Sequence, residues 1–299
     1  MTLNGQTIDG AIFNNAGLLL DEPWNSLAIE KVNEEPSLVV QKCSTVIAKI
    51  QTNHPKLLFN PDLNFILRFL RLRKYDTDKA YKEIISLYEF QKVEKLCHNL
   101  LPSECEHIFK LLVGAVMPGY DKQLRKLLIL HIGLWNTDET KLWDAFRALL
   151  IVLEVIASDP VSQITGLSVI VDFKDFTLKH LSHVKFSLAR TIVKAIQETI
   201  PIRVKALYFI NASSFLTSLI STIKVLLSSK IRKRFHVLAE KREKGDRPLS
   251  EILCEDFGPE VLPRSLGGVA DVNEDPYEIT CNLMLQQQTY FENLMQYGF

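Results

Sequence analysis

The fold is decided by the stretch Ile202-Arg-Val-Lys-Ala-Leu-Tyr-Phe-Ile-Asn211, which continues without glycine or proline into the segment 212–234. Residues 202–211 are rich in β-branched and aromatic side chains, and this composition predicts a buried strand with two cations near its start. In the following segment apolar residues recur every three or four positions, which predicts a helix over about 213–234. A strand that leads directly into a helix is a building unit of α/β folds.

The predicted helix has a wide apolar face and a polar face made mostly of serine and threonine. Its apolar stripe consists of Leu216, Ile220, Ile223, Leu227 and Ile231, widened by Phe215, Leu219 and Leu226. Periodicity alone favours an ordinary amphipathic helix packed on a sheet. The width of the stripe, and the lack of charge opposite it, also suit a helix that faces a lipid on one side and a membrane interface on the other.

Other apolar runs extend this pattern along the chain. The segments 127–132 and 166–173 predict two more buried strands, and 235–238 predicts a short fourth one. Helical patterns over 138–158 and 186–199 lie between them. Continuous apolar strands that alternate with helices predict an α/β fold with a mostly parallel sheet covered by helices.

The N-terminal third differs, because its periodic segments all predict helices. These segments are 29–50, 62–73 and 76–93; Asp62 occupies an N-cap position, and Asp76-Thr-Asp78 starts the third helix. On the second helix the arginines are expected on the polar side, opposite the apolar stripe: Arg68, Arg71 and Arg73. The first part of the chain therefore predicts a small all-α unit.

These changes of pattern divide the chain into four parts. We expect an N-terminal arm (1–28), a helical module (29–105), an α/β domain (106–270) and an amphipathic C-terminal tail (271–299). The apolar residues of the tail suit either packing on the domain or gating of a pocket.

Composition narrows the class of protein. Of 299 residues, 47% are hydrophobic and 23% charged, which is typical of a globular chain. Lys+Arg and Asp+Glu are both 35, so net charge indicates no nucleic-acid partner. The five cysteines include no Cys-x-x-Cys pair, and this predicts reduced thiols in the cytosol. No apolar run reaches the roughly 18 residues of a membrane span.

No motif predicts catalysis, a cofactor or a metal. The sequence lacks Gly-x-Gly-x-x-Gly, a Walker motif and Gly-x-Ser-x-Gly. Asp172 ends a strand, where α/β enzymes often keep catalytic groups, but without a matching base or nucleophile we interpret it as structural or turn-capping. His180 and His183 have no third ligand nearby, so we interpret them as a solvated helix edge. We therefore expect that the protein is not an enzyme.

Two pairs of cations stand out beside the strand 202–211. Arg203 and Lys205 are two residues apart on a strand, so their side chains project together. Lys230 and Arg234 are four residues apart on a helix and also project together. Two such pairs on adjacent elements could meet on one anion, although solvated charges would give the same pattern.

Five segments form a recognisable series. They are Phe65-Ile-Leu-Arg-Phe-Leu-Arg-Leu-Arg-Lys-Tyr-Asp76, Gly166-Leu-Ser-Val-Ile-Val-Asp-Phe173, the strand 202–211, Lys230-Ile-Arg-Lys-Arg-Phe-His236 and Leu262-Pro-Arg-Ser-Leu-Gly-Gly268. In order and spacing they resemble the CRAL-TRIO (Sec14-like) lipid-binding family, over about 30–270. The likeness is closest in kind to alpha-tocopherol transfer protein and cellular retinaldehyde-binding protein. It implies a helical module before a CRAL-TRIO domain, whose sheet floors a hydrophobic cavity closed by a lid helix.

The resemblance implies roles for individual residues. In that branch a basic cleft binds a phosphoinositide head group, and the matching positions here are Arg73, Arg203, Lys205, Lys230 and Arg234. The hydrophobic ligand pocket matches Phe146, Leu149, Leu150, Leu153, Leu167, Val171, Val184, Ile192, Ile196 and Ile200. The lid helix matches Phe215, Leu216, Leu219, Ile220 and Ile223. For any one pocket residue, plain core packing is an equally good explanation.

The resemblance also implies a function. We expect a monomeric cytosolic lipid-transfer protein that holds one tocopherol-, retinoid- or terpenoid-like ligand and associates transiently with phosphoinositide membranes as a peripheral protein. Leu149 and Leu153 stand where the tocopherol protein has serines, and Leu266 replaces an aromatic residue, so tocopherol itself is doubtful. The alternatives are a Sec14-type phospholipid exchanger and a lipid-sensing adaptor that transports nothing.

Overall fold

The computed structural model describes residues 2–3, 6–7, 20–195, 200–225, 227–239, 246–270 and 275–298. The helices in these ranges are α1 (Trp24–Val32), α2 (Val39–Asn53), α3 (Leu63–Leu72), α4 (Thr77–Val93), α5 (Glu106–Phe109), α6 (Leu142–Ser158), α7 (Pro160–Thr165), α8 (Leu178–Ser182), α9 (Phe186–Lys194), α10 (Ser214–Lys224), α11 (Ser229–Arg232), α12 (Leu249–Phe257), α13 (Pro276–Leu285) and α14 (Gln288–Leu294). The strands are β1 (Thr2–Leu3), β2 (Gln6–Thr7), β3 (Gly114–Val116), β4 (Lys126–His131), β5 (Leu167–Asp172), β6 (Val204–Ala212) and β7 (Phe235–Ala239).

A mixed five-stranded sheet in the order β3-β4-β5-β6-β7 forms the centre of the structure. The strands β4 to β7 run parallel to one another, and β3 adds an antiparallel edge. This arrangement confirms the predicted α/β fold with a mostly parallel sheet. The edge strand β3 was not predicted, because three residues are too few to show a periodic pattern.

Each face of the sheet is covered by its own apolar cluster. One cluster joins side chains of the strands to α6, α10 and α13, and includes Ile151, Val171 and Leu216. The other contains Ile170 and packs under α12, with Leu253 and Phe257. The alternation of Ile170 and Val171 between the two clusters follows from the period of two along a strand.

The helices α1 to α4 share a third apolar cluster. The prediction of one continuous helix over 29–50 is wrong, because this segment forms two helices. The helix α1 ends at Asn33, which adopts a left-handed conformation with φ 61°. A short 3₁₀ turn begins at Pro36, and α2 starts only at Val39. The predicted cap is confirmed, because Asp62 accepts hydrogen bonds from the first turn of α3, and Asp76 caps α4 by accepting one from Lys79 N.

Two arginines of α3 were expected on its polar side and are instead buried. Arg68 pairs with Glu154 of α6 at 2.5 Å. Arg71 has a side chain that is 1% exposed, and it binds both carboxylate oxygens of Glu34 at 2.7 and 2.9 Å. Arg71 also donates to Gln163 of α7 at 2.9 Å. These pairs fix α3 against the helices that flank the sheet.

The predicted helix over 213–234 is also wrong as a single element. It is divided into α10, which ends at Lys224, and α11, which begins at Ser229. Between them, Leu227 is buried while Val225 is 71% exposed. The helix is therefore interrupted at the point where the sequence shows an unbroken apolar stripe.

The C-terminal tail packs on the domain through α13 and α14. Val116 N of the edge strand β3 donates to Thr280 Oγ1 at 2.9 Å. The hydroxyl of Tyr290 donates to Glu154 at 2.8 Å, and Phe291 is buried in the same apolar cluster as Ile151. The division of the chain into four parts remains a prediction. In the described part of the chain, no helix is long and apolar enough to cross a bilayer.

We predict that Arg71→Met lowers the free energy of unfolding by about 3–5 kcal/mol, because it leaves the buried Glu34 carboxylate without its cation. The measurement is equilibrium unfolding in urea. As a matched control, Lys49→Met removes a cation from an ion pair in which Asp78 is 75% exposed, and we expect a cost below about 1 kcal/mol. Equal costs for the two variants would contradict the assigned role of Arg71.

Candidate functional site

The amino-terminal edge of the parallel strands collects four cations, which we call the basic edge: Arg125, Arg203, Lys205 and Arg234. Arg125, Arg203 and Arg234 each stand directly before a strand, namely β4, β6 and β7. Lys205 is the second residue of β6. Because parallel strands start at the same side of a sheet, residues that precede them lie close together.

Gly166 occupies the corresponding position before β5 and makes room for the basic edge. Its φ is +96°, and a Cβ there would lie 2.5 Å from the carbonyl oxygen of Arg203 and 2.7 Å from Cγ of Lys205. The same carbonyl accepts a hydrogen bond from Leu167 N at 3.0 Å. Glycine is therefore required both by backbone conformation and by the close approach of β6.

Arg203 carries an unusual amount of unused hydrogen-bonding capacity. Its Nε and Nη2 atoms are buried and have no hydrogen-bond partner in the described part of the chain. Burial, and then the neighbouring Arg234, lower the pKa of Arg203 to about 10. Buried donors without a partner are costly, so a guanidinium in this state is well suited to an incoming anion.

Arg234 lies beside Arg203 because its Nη1 atom donates to the carbonyl oxygen of Val204 at 2.6 Å. Burial, and then Arg125, lower the pKa of Arg234. Arg125 is itself held by Asp121 at 2.7 Å. The fold thus holds several cations close together although they repel one another. A polyanion bound between them would relieve this repulsion.

The predicted phosphoinositide residues are only partly brought together. Arg203, Lys205 and Arg234 lie at the basic edge, whereas Arg73 ends α3 and pairs with Glu83. The helix α3 does pack on α7, which ends directly before Gly166. The side chain of Lys230 is outside the described residues. Sequence reasoning missed Arg125, although its position directly before the apolar run 127–132 could have indicated it.

One face of the sheet keeps accessible apolar surface although helices cover it. Along β6, Ala206, Tyr208 and Ile210 are buried, but Leu207 and Phe209 on the opposite face are only half-buried. The strand β6 lies between β5 and β7, so this exposure does not come from a sheet edge. The covering helices therefore leave two apolar side chains of a central strand partly accessible, and surface of this kind is what an apolar ligand would contact.

Five of the ten predicted pocket residues belong to the apolar cluster on this face of the sheet. Leu153, Leu167 and Val171 are buried in its apolar cluster, and Leu149 and Ile200 pack against it half-buried. Four others are half-buried on α6, α9 or the turn before α9: Phe146, Leu150, Val184 and Ile192. Ile196 is outside the described residues. Leu150 and Ile200 also line a separate cleft between α4, α6 and α14. The pocket assignment remains a prediction.

Some of the predicted lid residues are buried against the sheet, one is exposed, and two have side chains outside the described residues. On α10, Leu216 and Ile220 are buried against the sheet-side cluster, at 1% and 2% exposure. Phe215 is 36% exposed and does not belong to that cluster. The side chains of Leu219 and Ile223 are outside the described residues. The helix α10 therefore covers the apolar surface, as a lid requires.

At the opposite, carboxyl edge of the sheet, Asp172 has the turn-capping role that was predicted. It accepts hydrogen bonds from Lys174 N at 2.9 Å and from Asn211 Nδ2 at 2.7 Å, and its other oxygen lies 3.0 Å from His131 Nδ1. Burial acts to raise the pKa of Asp172, but these contacts outweigh it and lower that pKa. The carboxylate is therefore used in holding strand ends together.

His183 is exposed, as expected of a solvated helix edge, whereas His180 is half-buried and hydrogen-bonded. Its Nδ1 atom closes a capping box with Thr177, and its Nε2 atom lies 3.0 Å from the carbonyl oxygen of Trp135. Within the described ranges, no three or more His, Cys, Asp or Glu side chains are grouped as metal ligands would be.

Comparison with known proteins places this geometry in a family. The model of the CRAL/TRIO domain matches residues 113–268. Clavesin-1 of Xenopus laevis is 28% identical over 251 residues, covering 82% of this chain and 73% of its own. Clavesin-2 of Homo sapiens is 28% identical over 242 residues, covering 80% of this chain and 72% of its own. The crystal structure of Sfh5 aligns with a TM-score of 0.47 at 14% identity, covering 90% of this chain and 98% of that one.

A mostly parallel sheet covered by helices on both faces defines an α/β protein. The chain belongs to the CRAL/TRIO domain family, as the match over more than half of its length shows. The resemblance expected from the sequence is thereby confirmed, and with it the coarse function of lipid binding.

We predict that Leu207→Trp is tolerated better than Ile170→Trp. Both residues lie on central strands, but Leu207 faces the accessible space while Ile170 is fully buried on the other face. Overpacking costs about 1–3 kcal/mol, so the free energy of unfolding should fall by at least about 1 kcal/mol more for Ile170→Trp. Chemical denaturation measures the difference. If Leu207→Trp is as destabilising as Ile170→Trp, the space over β6 is too small for a ligand.

Proposed function

We propose that the protein is a lipid-transfer protein that holds one small hydrophobic ligand over the sheet and exchanges it at phosphoinositide-containing membranes. The observation that carries this proposal is Arg203, whose Nε and Nη2 atoms are buried without a partner among the described residues, beside Arg234. A polyphosphorylated head group supplies several acceptor oxygens and several negative charges to such a site. On this proposal the protein is not an enzyme and needs no cofactor.

The ligand would lie against the half-buried side chains of β6 and α6. Leu207, Phe209 and Leu149 offer only carbon surface, so recognition rests on apolar burial. At about 25 cal/mol per Å², a few hundred Å² of buried ligand surface gives several kcal/mol after the costs of association. The leucines at positions 149 and 153 favour an apolar tocopherol-, retinoid- or terpenoid-like molecule without a polar group at that point.

Release would require α10 to move, because Leu216 and Ile220 are buried against the apolar cluster. The break between α10 and α11 provides a hinge, and Arg234 of the basic edge follows α11 directly. Contact of the basic edge with a phosphoinositide membrane would therefore act close to the end of the lid. We propose a monomer that works in the cytosol and associates only transiently with the membrane.

We predict that Lys205→Glu and Arg234→Glu each weaken binding to phosphatidylcholine vesicles that contain phosphatidylinositol bisphosphate by about tenfold or more, equivalent to about 1.4 kcal/mol. Each variant replaces an attractive charge with a repulsive one at the basic edge. Vesicle co-sedimentation measures the effect, with phosphatidylcholine alone as the baseline.

The matched control for these variants is Lys110→Glu, which makes the same change of charge on α5, where Lys110 is 65% exposed and pairs with Glu106. We expect its vesicle binding to stay near that of the unaltered protein. Unchanged vesicle binding by both Lys205→Glu and Arg234→Glu would remove the head-group site from the proposal.

Native mass spectrometry of protein purified from its natural source should show one bound apolar molecule. We expect the adduct to be lost in Leu207→Trp, since the indole occupies the space over β6. A phospholipid mass would favour a Sec14-type exchanger, and an empty protein would favour a lipid-sensing adaptor. Turnover of a substrate in a wide screen would overturn the assignment as a non-enzyme.

A further inference from the structure

A second space lies between α4, α6 and α14, away from the basic edge, and its lining combines apolar side chains with polar residues such as Lys92, His98 and Asn99. It is a cleft of about 530 Å³, lined by side chains that include Leu87, Phe90, Leu150, Phe291, Leu294 and Met295. A space of this volume and composition is within the range of small-molecule sites. Neither the basic edge nor the lid contributes to it.

Glu154 supplies a strong hydrogen-bond acceptor in this cleft. Arg68 Nη1 at 2.5 Å and the Tyr290 hydroxyl at 2.8 Å both donate to its Oε1 atom. Among the described residues no further hydrogen bond reaches Glu154, so Oε2 can accept from a molecule in the cleft. The buried Arg68, with a side chain that is 3% exposed, balances the charge of the carboxylate. The site therefore attracts a hydrogen-bond donor more than it attracts a cation.

Tyr88 supplies a donor in the same cleft. Its hydroxyl oxygen accepts from Asn60 N at 2.8 Å, which leaves the phenolic proton available. Burial is the main cause that raises the pKa of Tyr88 to about 12, so the phenol keeps its proton at neutral pH. A carboxylate acceptor and a phenol donor within one apolar cleft match the two roles that a neutral hydroxyl group can play at once.

We propose that this cleft binds a small apolar molecule that carries one neutral hydroxyl group, at a site separate from the sheet-side ligand. The hydroxyl donates to Glu154 Oε2 and accepts from Tyr88 Oη, while the apolar body lies against Leu150, Phe291 and Leu294. A fatty acid is disfavoured at the same position, because its carboxylate has no proton to donate and leaves Glu154 Oε2 without a partner. The proposal stands whether or not the protein binds phosphoinositide.

The reactivity of two cysteines can report whether the cleft is occupied. Cys97 lines it and is partly exposed, whereas Cys254 is also partly exposed but lies on α12, where it contacts the carbonyl oxygen of Gly267 at 3.3 Å. The other three cysteines are buried. A ligand in the cleft should therefore shield Cys97 and leave Cys254 as an internal control. Burial raises the pKa of the Cys97 thiol to about 12, so labelling requires mildly alkaline buffer and long times.

The experiment measures N-ethylmaleimide labelling of each cysteine by peptide mass mapping, with and without 1-dodecanol. We expect the alcohol to slow labelling of Cys97 by about fivefold or more once its concentration is several times its Kd, and to leave Cys254 unchanged. Dodecanoate at the same concentration should give no protection. Equal slowing at both cysteines, or none at Cys97, would overturn the site, and equal protection by dodecanoate would overturn its preference for a hydroxyl.

Two variants test the location. Leu294→Trp fills the cleft, and Met295→Trp fills its rim, where the methionine is 47% exposed and a larger side chain is readily accommodated. In each, the ratio of Cys97 labelling with and without 1-dodecanol should return to about one. Protection that survives in both variants would contradict the proposal. Leu207→Trp serves as the matched control, since it fills the sheet-side space and should leave Cys97 protection intact.

Discussion

The close approach of β6 to Gly166 is the constraint on which the basic edge depends. The hydrogen bond from Leu167 N to the Arg203 carbonyl aligns the starts of β5 and β6, and it forms only because no Cβ stands between them. That alignment places Arg203 and Lys205 beside Arg234. A side chain at position 166 would push β6 away and would need a backbone conformation with φ near +96°, which residues with a Cβ rarely adopt.

Buried ion pairs provide the second constraint, because they hold the N-terminal helices on the sheet domain. Arg71 joins Glu34 to Gln163, and Arg68 joins α3 to Glu154 of α6. Such pairs add little net stability compared with apolar packing, but a partner left alone is strongly destabilising. They therefore favour one arrangement of the helices over others. Glu154 serves twice, since the same oxygen that binds Arg68 also accepts from Tyr290 on α14.

The periodicity of apolar residues was sufficient to predict the strands and helix caps, because these depend on residues that are close in sequence. The strands β4 to β7 follow the apolar runs, and Asp62 and Asp76 cap helices as their spacing indicates. It failed where distant residues decide the outcome. Arg68 and Arg71 look solvent-exposed on a helical wheel, but their partners Glu154 and Gln163 lie 86 and 92 positions further along the chain.

In the candidate site, too, some features could be predicted from the sequence and others depend on contacts between distant residues. The family resemblance indicated Arg203, Lys205 and Arg234, but it also included Arg73, which pairs with Glu83 in this chain. No local pattern marks the half-buried state of Leu207 and Phe209, because it depends on how closely helices from other parts of the sequence cover β6. The break after Lys224 was equally invisible, since the apolar stripe continues through it.

The helix α6 contributes to both spaces. Leu149 packs against the sheet-side cluster, the adjacent Leu150 lines the cleft beside α14, and Ile200 contributes to both. Consecutive residues of a helix point about 100° apart, so Leu149 and Leu150 reach surfaces on different sides of α6. The helix therefore stands between the sheet-side surface and the cleft, and a molecule on one side of it needs no contact with a molecule on the other. One helix thus supplies apolar side chains to two separate sites.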